Sequence, residues 1–341
     1  MKAAVFLGAG NIEVRDVPEP VAEAGEVVIR VGYCGICGSD LEAYATGMYE
    51  SGLIIGHEFA GTIVQLGPSV SGWQIGERVV VSDAVPCGEC LPCREGRLDA
   101  CECLTMIGVT HDGGMAEYVK FAAGGLRRLP AEVTLRQGAL AEPLSVALHG
   151  VRRSRLKPGD VAVVMGAGPI GLLTLQCALL AGARRVVVTE VDPARAAMAA
   201  RLGAAAVLDP RRDNVGIVLS RLTGGRGPDL VYLCTGAPDP YRDAVSLVRK
   251  GGQLFVLGLC VEPVEFDFMS VAMCELSIEG SFAGLAEMAA AVEFIAQRRV
   301  DVEALISHEI SLEDIVEQGF CRLTVPGSGA VKILVKIGGE E

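Results

Sequence analysis

The sequence predicts an α/β protein in which a β-rich portion is followed by a doubly wound parallel sheet. Three observations support this fold class. Over the first ~120 residues, short β-branched runs alternate with glycine turns. From residue 159 onward, aliphatic strand-like runs alternate with helical segments. Between the first such strand and helix lies the glycine turn Gly166-Ala-Gly168-Pro-Ile-Gly171.

Within the β-rich portion we predict strands at residues 27–31, 61–66 and 78–81, separated by glycine-containing turns. The pattern changes after Glu142-Pro143. The elements predicted next are strand 161–165, helix 172–181, strand 185–189, helix 192–203 and strands 230–233 and 254–257. The continuous aliphatic character of these strands suits a parallel sheet covered on both faces. Near the end, residues 311–314 resemble a capping box that starts a helix, and residues 330–335 predict a strand that rejoins the first domain.

Length and charge limit the possible partners. A chain of 341 residues suggests about two domains. The net charge of −12 argues against nucleic-acid backbones and acidic membrane surfaces as partners. No signal peptide is visible, since Gly8 and Gly10 interrupt the first apolar run. The 12 cysteines therefore indicate a cytoplasmic protein that uses zinc rather than disulfides.

The glycine turn predicts a dinucleotide site. Gly166 permits the tight turn, Gly168 allows the backbone to approach a pyrophosphate, and Gly171 lets the helix pack on the strand. The helix that begins at Pro169 and Ile170 offers free N–H groups and a partial positive charge to the phosphates.

Glu190, at the end of the next predicted strand, can accept hydrogen bonds from ribose hydroxyls. Its charge would repel a 2′-phosphate, so we predict NAD rather than NADP. Alternatively, Glu190 is a solvated carboxylate at a strand end. Arg195 either lies beside the adenosine or faces solvent. Leu257 and Gly258, after a later strand, are further cofactor-binding candidates.

A loop rich in glycine, proline and charge carries four cysteines with metal spacing. Thiolates at the spacing C-x2-C-x2-C-x7-C can surround one Zn²⁺ tetrahedrally and leave no open position, which predicts a structural site. Zinc would supply the cross-link that such a loop cannot obtain from core burial. Cys103 is an alternative to the last ligand, but the spacing favours Cys101. The predicted ligands are Cys87, Cys90, Cys93 and Cys101.

A second, catalytic zinc is predicted at Cys37 and His57. Such a site needs about three protein ligands and one exchangeable position. The third ligand is either Glu58, next to His57, or Glu142, just before the dinucleotide portion. Together with the glycine turn, this site points to metal-assisted hydride transfer. We expect the other three histidines to be structural.

These motifs together resemble the zinc-containing medium-chain dehydrogenase/reductase family. Residues 56–70, Gly-His-Glu-x2-Gly-x5-Gly-x2-Val, resemble its zinc signature, and the four-cysteine loop resembles its structural site. Residues 37–40 and 142–149 suggest the polyol dehydrogenase branch, with threonine 3-dehydrogenase nearby.

The resemblance implies a GroES-like catalytic domain at residues 1–144, with a zinc lobe at 86–103. It also implies a Rossmann NAD-binding domain at 145–284 and a return segment at 285–341. Two Zn²⁺ per subunit, NAD, a small alcohol substrate and a homotetramer or homodimer are further expectations.

The reaction implied is hydride transfer from a secondary alcohol to NAD, giving a ketone and NADH, with Ser39 taking the hydroxyl proton. Several relatives carry a histidine five residues after the zinc cysteine, where this chain has Glu42. The sequence therefore does not determine the route by which the proton passes from Ser39 to solvent. Competing interpretations are a threonine 3-dehydrogenase or other alcohol dehydrogenase with the same residues, and a non-catalytic NAD-binding zinc protein.

Overall fold

The computed structural model describes residues 1–340, which divide into two compact units. The first unit consists of Met1–Ser145 together with the chain from Ala283 onward. The second unit is Val146–Phe282. In the described part of the chain, helices are either too short or too polar to cross a bilayer.

The chain up to residue 153 is mainly β-structure. Its elements are β1 (Lys2–Gly8), β2 (Asn11–Asp16), β3 (Glu26–Gly35), α1 (Gly38–Thr46), β4 (Glu58–Leu66), β5 (Arg78–Val81), β6 (Ala84–Val85), α2 (Leu91–Arg94), β7 (Thr105–Met106), β8 (Tyr118–Ala122), β9 (Leu126–Arg128), α3 (Leu135–Gly138) and α4 (Ala141–Arg153).

Strands and helices then alternate through the second unit. They are β10 (Val161–Met165), α5 (Pro169–Leu180), β11 (Arg185–Thr189), α6 (Pro193–Arg201), β12 (Ala206–Leu208), α7 (Val215–Leu222), β13 (Leu230–Leu233), α8 (Asp239–Leu247), β14 (Gln253–Val256), α9 (Phe268–Met273) and β15 (Ser277–Gly280).

The returning segment completes the first unit. It contains α10 (Met288–Ala296), β16 (Ile306–Ser311), a π-helical segment (Ile315–Cys321), α11 (Arg322–Thr324) and β17 (Lys332–Lys336).

The main sheet of the first unit has the strand order β16-β17-β3-β4-β5-β9, and β8 also pairs with β3. Strand β3 pairs antiparallel with both β4 and β17, so Gly35 lies opposite Glu58 on one side and Leu334 on the other. The last strand of the chain therefore lies beside the strand that leads to Cys37. Aliphatic and aromatic side chains fill the core of this unit, among them Phe6, Ile29, Phe59, Ile63 and Phe320.

The second unit contains one parallel sheet with the order β12-β11-β10-β13-β14-β15. Strands β10, β11 and β13 are buried along nearly their whole length, as expected for a sheet with helices on both faces. Because the strands are parallel, the carboxyl ends of β10, β11 and β12 lie at the same edge. The predicted fold class, a β-rich unit plus a doubly wound sheet, is confirmed.

The helix predicted to start at Ser311 is wrong. Ser311 is the last residue of β16, and its hydroxyl donates to the Asp314 carboxylate at 2.7 Å. The Ser-to-Asp spacing thus closes a polar turn at a strand end, and the helical segment starts at Ile315. A three-residue separation fits both geometries, which is why the sequence pattern did not distinguish them.

Candidate active site and metal centres

The pairing of β3 with β4 brings Cys37 and His57 together. Cys37 follows β3 by two residues and His57 precedes β4 by one, so both lie at the same end of this strand pair. The ligand atoms of Cys37, His57 and Glu58 all lie within 4.8 Å of one another. The structure thus places three of the predicted zinc-binding side chains in one cluster.

Gly56 allows the chain to turn into this cluster. Its φ of +98° lies in the left-handed region, which glycine adopts without strain. A Cβ at this position would lie 2.6 Å from Met115 Cγ and 2.8 Å from Cys34 Sγ. Any side chain here would clash with Met115 and Cys34, so the turn before His57 requires glycine.

The donor set fits zinc. His57 and Glu58 are buried and Cys37 is half-buried. His57 Nδ1 has no hydrogen-bond partner among the described residues. Burial lowers the pKa of the imidazole, but Cys37 and other acidic groups more than offset this, and the pKa lies well above its ordinary value. A half-buried thiol with a buried imidazole and a buried carboxylate in one cluster are ligands that Zn²⁺ prefers.

Asp40 is a site residue that sequence analysis did not identify. It is 1% exposed, and one carboxylate oxygen accepts the Cys37 N–H at 3.0 Å. The other oxygen lies 3.8 Å from His57 Nδ1. Burial raises the pKa of Asp40 above its usual range. Asp40 therefore holds the Cys37 backbone by a hydrogen bond and places a buried carboxylate near His57 without bonding to it. Its position three residues after Cys37 was the available sequence signal.

Lys332 is the second residue that sequence analysis missed. Its ammonium is 2% exposed and donates to both oxygens of Glu58, at 2.8 and 2.5 Å, and to the Ile36 carbonyl at 2.9 Å. Burial lowers the pKa of Lys332, but the Glu58 carboxylate more than offsets this, and the pKa lies above its ordinary value. The buried pair fixes the Glu58 carboxylate at the start of β4.

Glu142 lies in the first turn of α4 and is 7% exposed. Burial raises the pKa of Glu142 well above its usual range, and the buried Asp83 nearby raises it further. His57 and Cys37 also act on it electrostatically, so Glu142 faces the same site. Its oxygens are not within the 4.8 Å cluster formed by Cys37, His57 and Glu58.

Ser39 is half-buried in the first turn of α1, directly after the metal-binding loop. The hydroxyl of Tyr49 lies near Ser39 but is buried without a hydrogen-bond partner among the described residues, and its ring packs against Phe6 with centroids 6.0 Å apart. Tyr44 instead packs against Phe320, with ring centroids 5.2 Å apart.

The four-cysteine loop brings its predicted ligands into a second cluster. The sulfur atoms of Cys87, Cys90, Cys93 and Cys101 all lie within 4.8 Å of one another. The N–H groups of Cys87 and Cys103 donate to Cys101 Sγ at 3.3 and 3.4 Å. Backbone N–H groups near Cys87 lower its thiol pKa to about 6, whereas burial raises that of Cys93 to about 12. Thiolates already solvated by backbone donors suit a closed metal site.

Cys103 lies outside this cluster and contributes its N–H instead. The turn Leu98–Ala100 ties the loop to the returning segment, because Asp99 accepts the Leu285 N–H at 2.8 Å. The loop is thus anchored both within itself and to the rest of the first unit.

The glycine turn in the second unit has the shape a pyrophosphate requires. Gly166 has a φ of +97°, and a Cβ at Gly171 would lie 1.9 Å from the Gly166 carbonyl oxygen. At Gly168, the residue before α5, a Cβ would meet nothing within 4 Å. The backbone is therefore tightly packed on the strand side and open at the N-terminus of α5, where Pro169 and Ile170 begin the helix.

Glu190 directly follows β11 and is buried, so the alternative of a solvated carboxylate is wrong. Its oxygens accept three backbone N–H groups, from Ala167 at 2.7 Å, Val191 at 2.7 Å and Asp192 at 2.8 Å. The carboxylate thus joins the glycine turn to the end of β11. Its remaining lone pairs lie at the edge where ribose hydroxyls would approach.

The other cofactor candidates lie at the same sheet. Arg195, in the first turn of α6, is half-buried. Leu257 and Gly258 follow β14, and both donate their N–H to the Leu233 carbonyl, at 2.9 and 2.8 Å. At Gly258 a Cβ would lie 2.4 Å from the Thr235 carbonyl oxygen, so only glycine fits.

Two family models match the chain. The alcohol dehydrogenase GroES-like domain matches residues 23–131, and the zinc-binding dehydrogenase domain matches residues 169–297. The chain is 34% identical to the sorbitol dehydrogenase of Bacillus subtilis over 322 residues, covering 92% of this chain and 91% of that protein. The chain belongs to the zinc-dependent medium-chain dehydrogenase family. It is an enzyme, and its relatives place it among the alcohol and polyol dehydrogenases.

Solved structures agree with this assignment. The 2R,3R-butanediol dehydrogenase of Bacillus subtilis superposes with a TM-score of 0.91 at 32% identity, covering 98% of this chain and 99% of that one. A zinc-binding dehydrogenase of Sinorhizobium meliloti bound to NADP gives a TM-score of 0.91 at 31% identity, covering 98% of both chains.

Lys332→Met should destabilise the first unit by about 3–5 kcal/mol, because it leaves the buried Glu58 carboxylate without a cation. Chemical unfolding of the metal-free protein measures this. Lys336→Met, which removes an exposed lysine from the same strand, is the control and should change little. Equal stability of both variants would show that the buried pair contributes nothing to the fold.

Cys93→Ser should reduce the zinc content by one ion per subunit and lower the melting temperature, because the closed site loses a buried ligand. Elemental analysis and thermal melting measure both effects. Cys103→Ser, which changes a thiol outside the cluster, should leave both unchanged. The reverse pattern would assign Cys103 rather than Cys93 to the metal.

Proposed function

We propose that this enzyme oxidises a secondary hydroxyl of a polyol or diol to a ketone and transfers the hydride to NAD. The observation that carries the proposal is the cluster of Cys37, His57 and Glu58, with Ser39 only two residues from Cys37 in the chain. The similarity to sorbitol and butanediol dehydrogenases supports the substrate class. We assign the first unit as the catalytic domain and the second unit as the NAD-binding domain.

Cys37, His57 and Glu58 would hold the catalytic zinc, and Glu142 would act on the site without binding the metal directly. Two observations support this division. Glu58 lies inside the cluster of ligand atoms, whereas Glu142 is buried close by and stays outside it. Zinc, when bound, supplies a Lewis acid that lowers the pKa of the substrate hydroxyl.

The residues of the chain orient the substrate and move the proton. Ser39 accepts the proton of the substrate hydroxyl. Tyr49 lies near Ser39, but its hydroxyl is buried and makes no hydrogen bond to the described residues, so it does not carry the proton to water. Glu42, half-exposed one turn further along α1, is the group through which the proton leaves. This assignment replaces the histidine that several relatives carry at that position.

NAD is the proposed cofactor because of Glu190. Its carboxylate is held by three backbone N–H groups at the edge where the adenosine ribose would lie. A fixed negative charge there accepts hydrogen bonds from two ribose hydroxyls and repels a 2′-phosphate. A preference for NADP in kcat/KM would contradict the assignment of Glu190.

A second copy of the chain is the proposed partner. Strand β15 is one of the two edge strands of the parallel sheet, and seven exposed apolar side chains lie in residues 259–282, which include this strand. An unpaired strand edge flanked by apolar side chains favours pairing with an identical edge. These side chains are Leu259, Val261, Phe268, Met269, Met273, Ile278 and Phe282.

A reducing compartment such as the cytoplasm is the proposed location. All 12 cysteines are free thiols in the described residues, and eight of these belong to neither the closed cysteine cluster nor any disulfide. Thiols in this number persist where disulfides are kept reduced. Mass spectrometry of alkylated protein from intact cells tests this, and disulfide-linked peptides would contradict it.

The function is tested by turnover on glucitol, xylitol, butanediol and threonine, side by side with NAD. We expect activity on the first three, and Cys37→Ser should abolish it while NADH binding, followed by fluorescence, stays near normal. The Glu142→Gln enzyme should retain its full zinc content but have a lower kcat. Activity on threonine alone would favour the competing threonine dehydrogenase, and full activity of Cys37→Ser would remove the metal role.

The association is tested with Phe268→Lys combined with Met273→Lys, two exposed residues of α9. Light scattering of the purified enzyme should show a multiple of the 35.6 kDa chain mass, and the double variant should show a lower multiple. Val21→Lys, at an exposed apolar residue of the first unit, is the control. An unchanged mass in the double variant would exclude this surface.

A further inference from the structure

The carboxyl ends of β11 and β12 are joined by the side chain of Arg211. Its Nε and Nη2 atoms donate to the two oxygens of Asp209, at 2.9 and 2.8 Å, in a bidentate pair. Nη2 also donates to the Val191 carbonyl at 2.6 Å. Asp209 follows β12 directly, and Val191 lies two residues after β11. The guanidinium plane is therefore fixed across two adjacent strand ends.

This bond ties Arg211 to Val191, the residue that directly follows Glu190. The Val191 N–H donates to Glu190, and the carbonyl of the same residue accepts from Arg211. The Glu190 charge in turn contributes to raising the pKa of Arg211. The Glu190 carboxylate and the Arg211 guanidinium are thus both bonded to the backbone of Val191, one to its N–H and the other to its carbonyl.

Two donors of Arg211 remain available. A guanidinium has five N–H donors, and the bonds to Asp209 and Val191 use Nε and Nη2. Nη1 makes no hydrogen bond to any of the described residues, and the side chain is 58% exposed. Arg211 lowers the pKa of Asp209 to about 2, so the carboxylate stays ionised at neutral and mildly acidic pH.

We propose that Arg211 is a specificity-determining residue of the adenosine site, where it offsets the charge of Glu190 and donates to a phosphate on the ribose 2′-oxygen. The enzyme then prefers NAD and still accepts NADP. This inference rests on the proposed function, since it takes the ribose to lie at Glu190. The two free N–H groups of Nη1 are held in position by the bonds that Nε and Nη2 make, so they lose less conformational entropy on binding a phosphate than a mobile side chain would.

Arg212 provides a matched control within the same turn. Its Nε lies 3.6 Å from the same Asp209, but the side chain is 82% exposed and makes no bond to Val191. Removing either arginine changes the net charge by the same amount. Of these two arginines, only Arg211 is bonded to the residue next to Glu190.

The test is calorimetric binding of 2′,5′-ADP and 5′-AMP, which depends on neither zinc nor turnover. Arg211→Ala should weaken 2′,5′-ADP binding about tenfold and 5′-AMP binding less than about twofold, as expected for the loss of a charge-assisted pair. Arg212→Ala should change both less than about twofold, and Arg211→Lys should recover part of the loss. The NADP to NAD ratio of kcat/KM should fall with Arg211→Ala.

If Arg211→Ala and Arg212→Ala weaken 2′,5′-ADP binding equally, the effect is explained by the change in net charge alone, and the proposal is overturned. Unchanged 2′,5′-ADP affinity in Arg211→Ala would overturn it as well. If the unmodified enzyme binds neither nucleotide, the dinucleotide assignment itself fails, and the role of Arg211 fails with it. Binding of 5′-AMP without any 2′,5′-ADP binding leaves the proposed function standing and excludes the inference.

Discussion

The buried ion pair between Lys332 and Glu58 is the interaction on which the catalytic cluster depends. It connects β17 to the first residue of β4, and the lysine also binds the carbonyl of Ile36, next to Cys37. A buried carboxylate is stable only with a partner, so the position of Glu58 follows from the pairing of β17 with β3. His57 precedes Glu58 and moves with it. The metal-binding geometry is therefore a consequence of sheet assembly.

The two units differ in how charged groups are arranged at their sites. The first unit concentrates acidic groups and thiols around one imidazole, an arrangement that a divalent cation stabilises. The second unit holds a carboxylate by three backbone N–H groups and places a guanidinium near it, so this edge of the parallel sheet carries charges of both signs. Both sites lie at the ends of strands, where backbone groups not used by the sheet can orient side chains.

Sequence patterns correctly predicted the structural elements that are determined by residues close together in the chain. The strands Arg185–Thr189 and Leu230–Leu233 occur where the aliphatic runs are, because burial on both faces demands that composition. Asp40 and Lys332 were missed for different reasons. Asp40 is local, but its spacing from Cys37 resembles an ordinary helix cap. Lys332 lies 274 residues from Glu58, and only the sheet order reveals that they meet. The polar turn at Ser311 shows the converse, a local pattern compatible with two structures.

The order of the chain has a consequence for biosynthesis. Cys37, His57 and Glu58 emerge from the ribosome early, whereas Lys332 emerges only after the whole second unit has been made. During translation the early residues form neither the β17 pairing nor the ion pair. The four thiols of the cysteine loop lie within 15 consecutive residues, so they are all present long before Lys332 is made, although the contact of Asp99 with Leu285 also forms late.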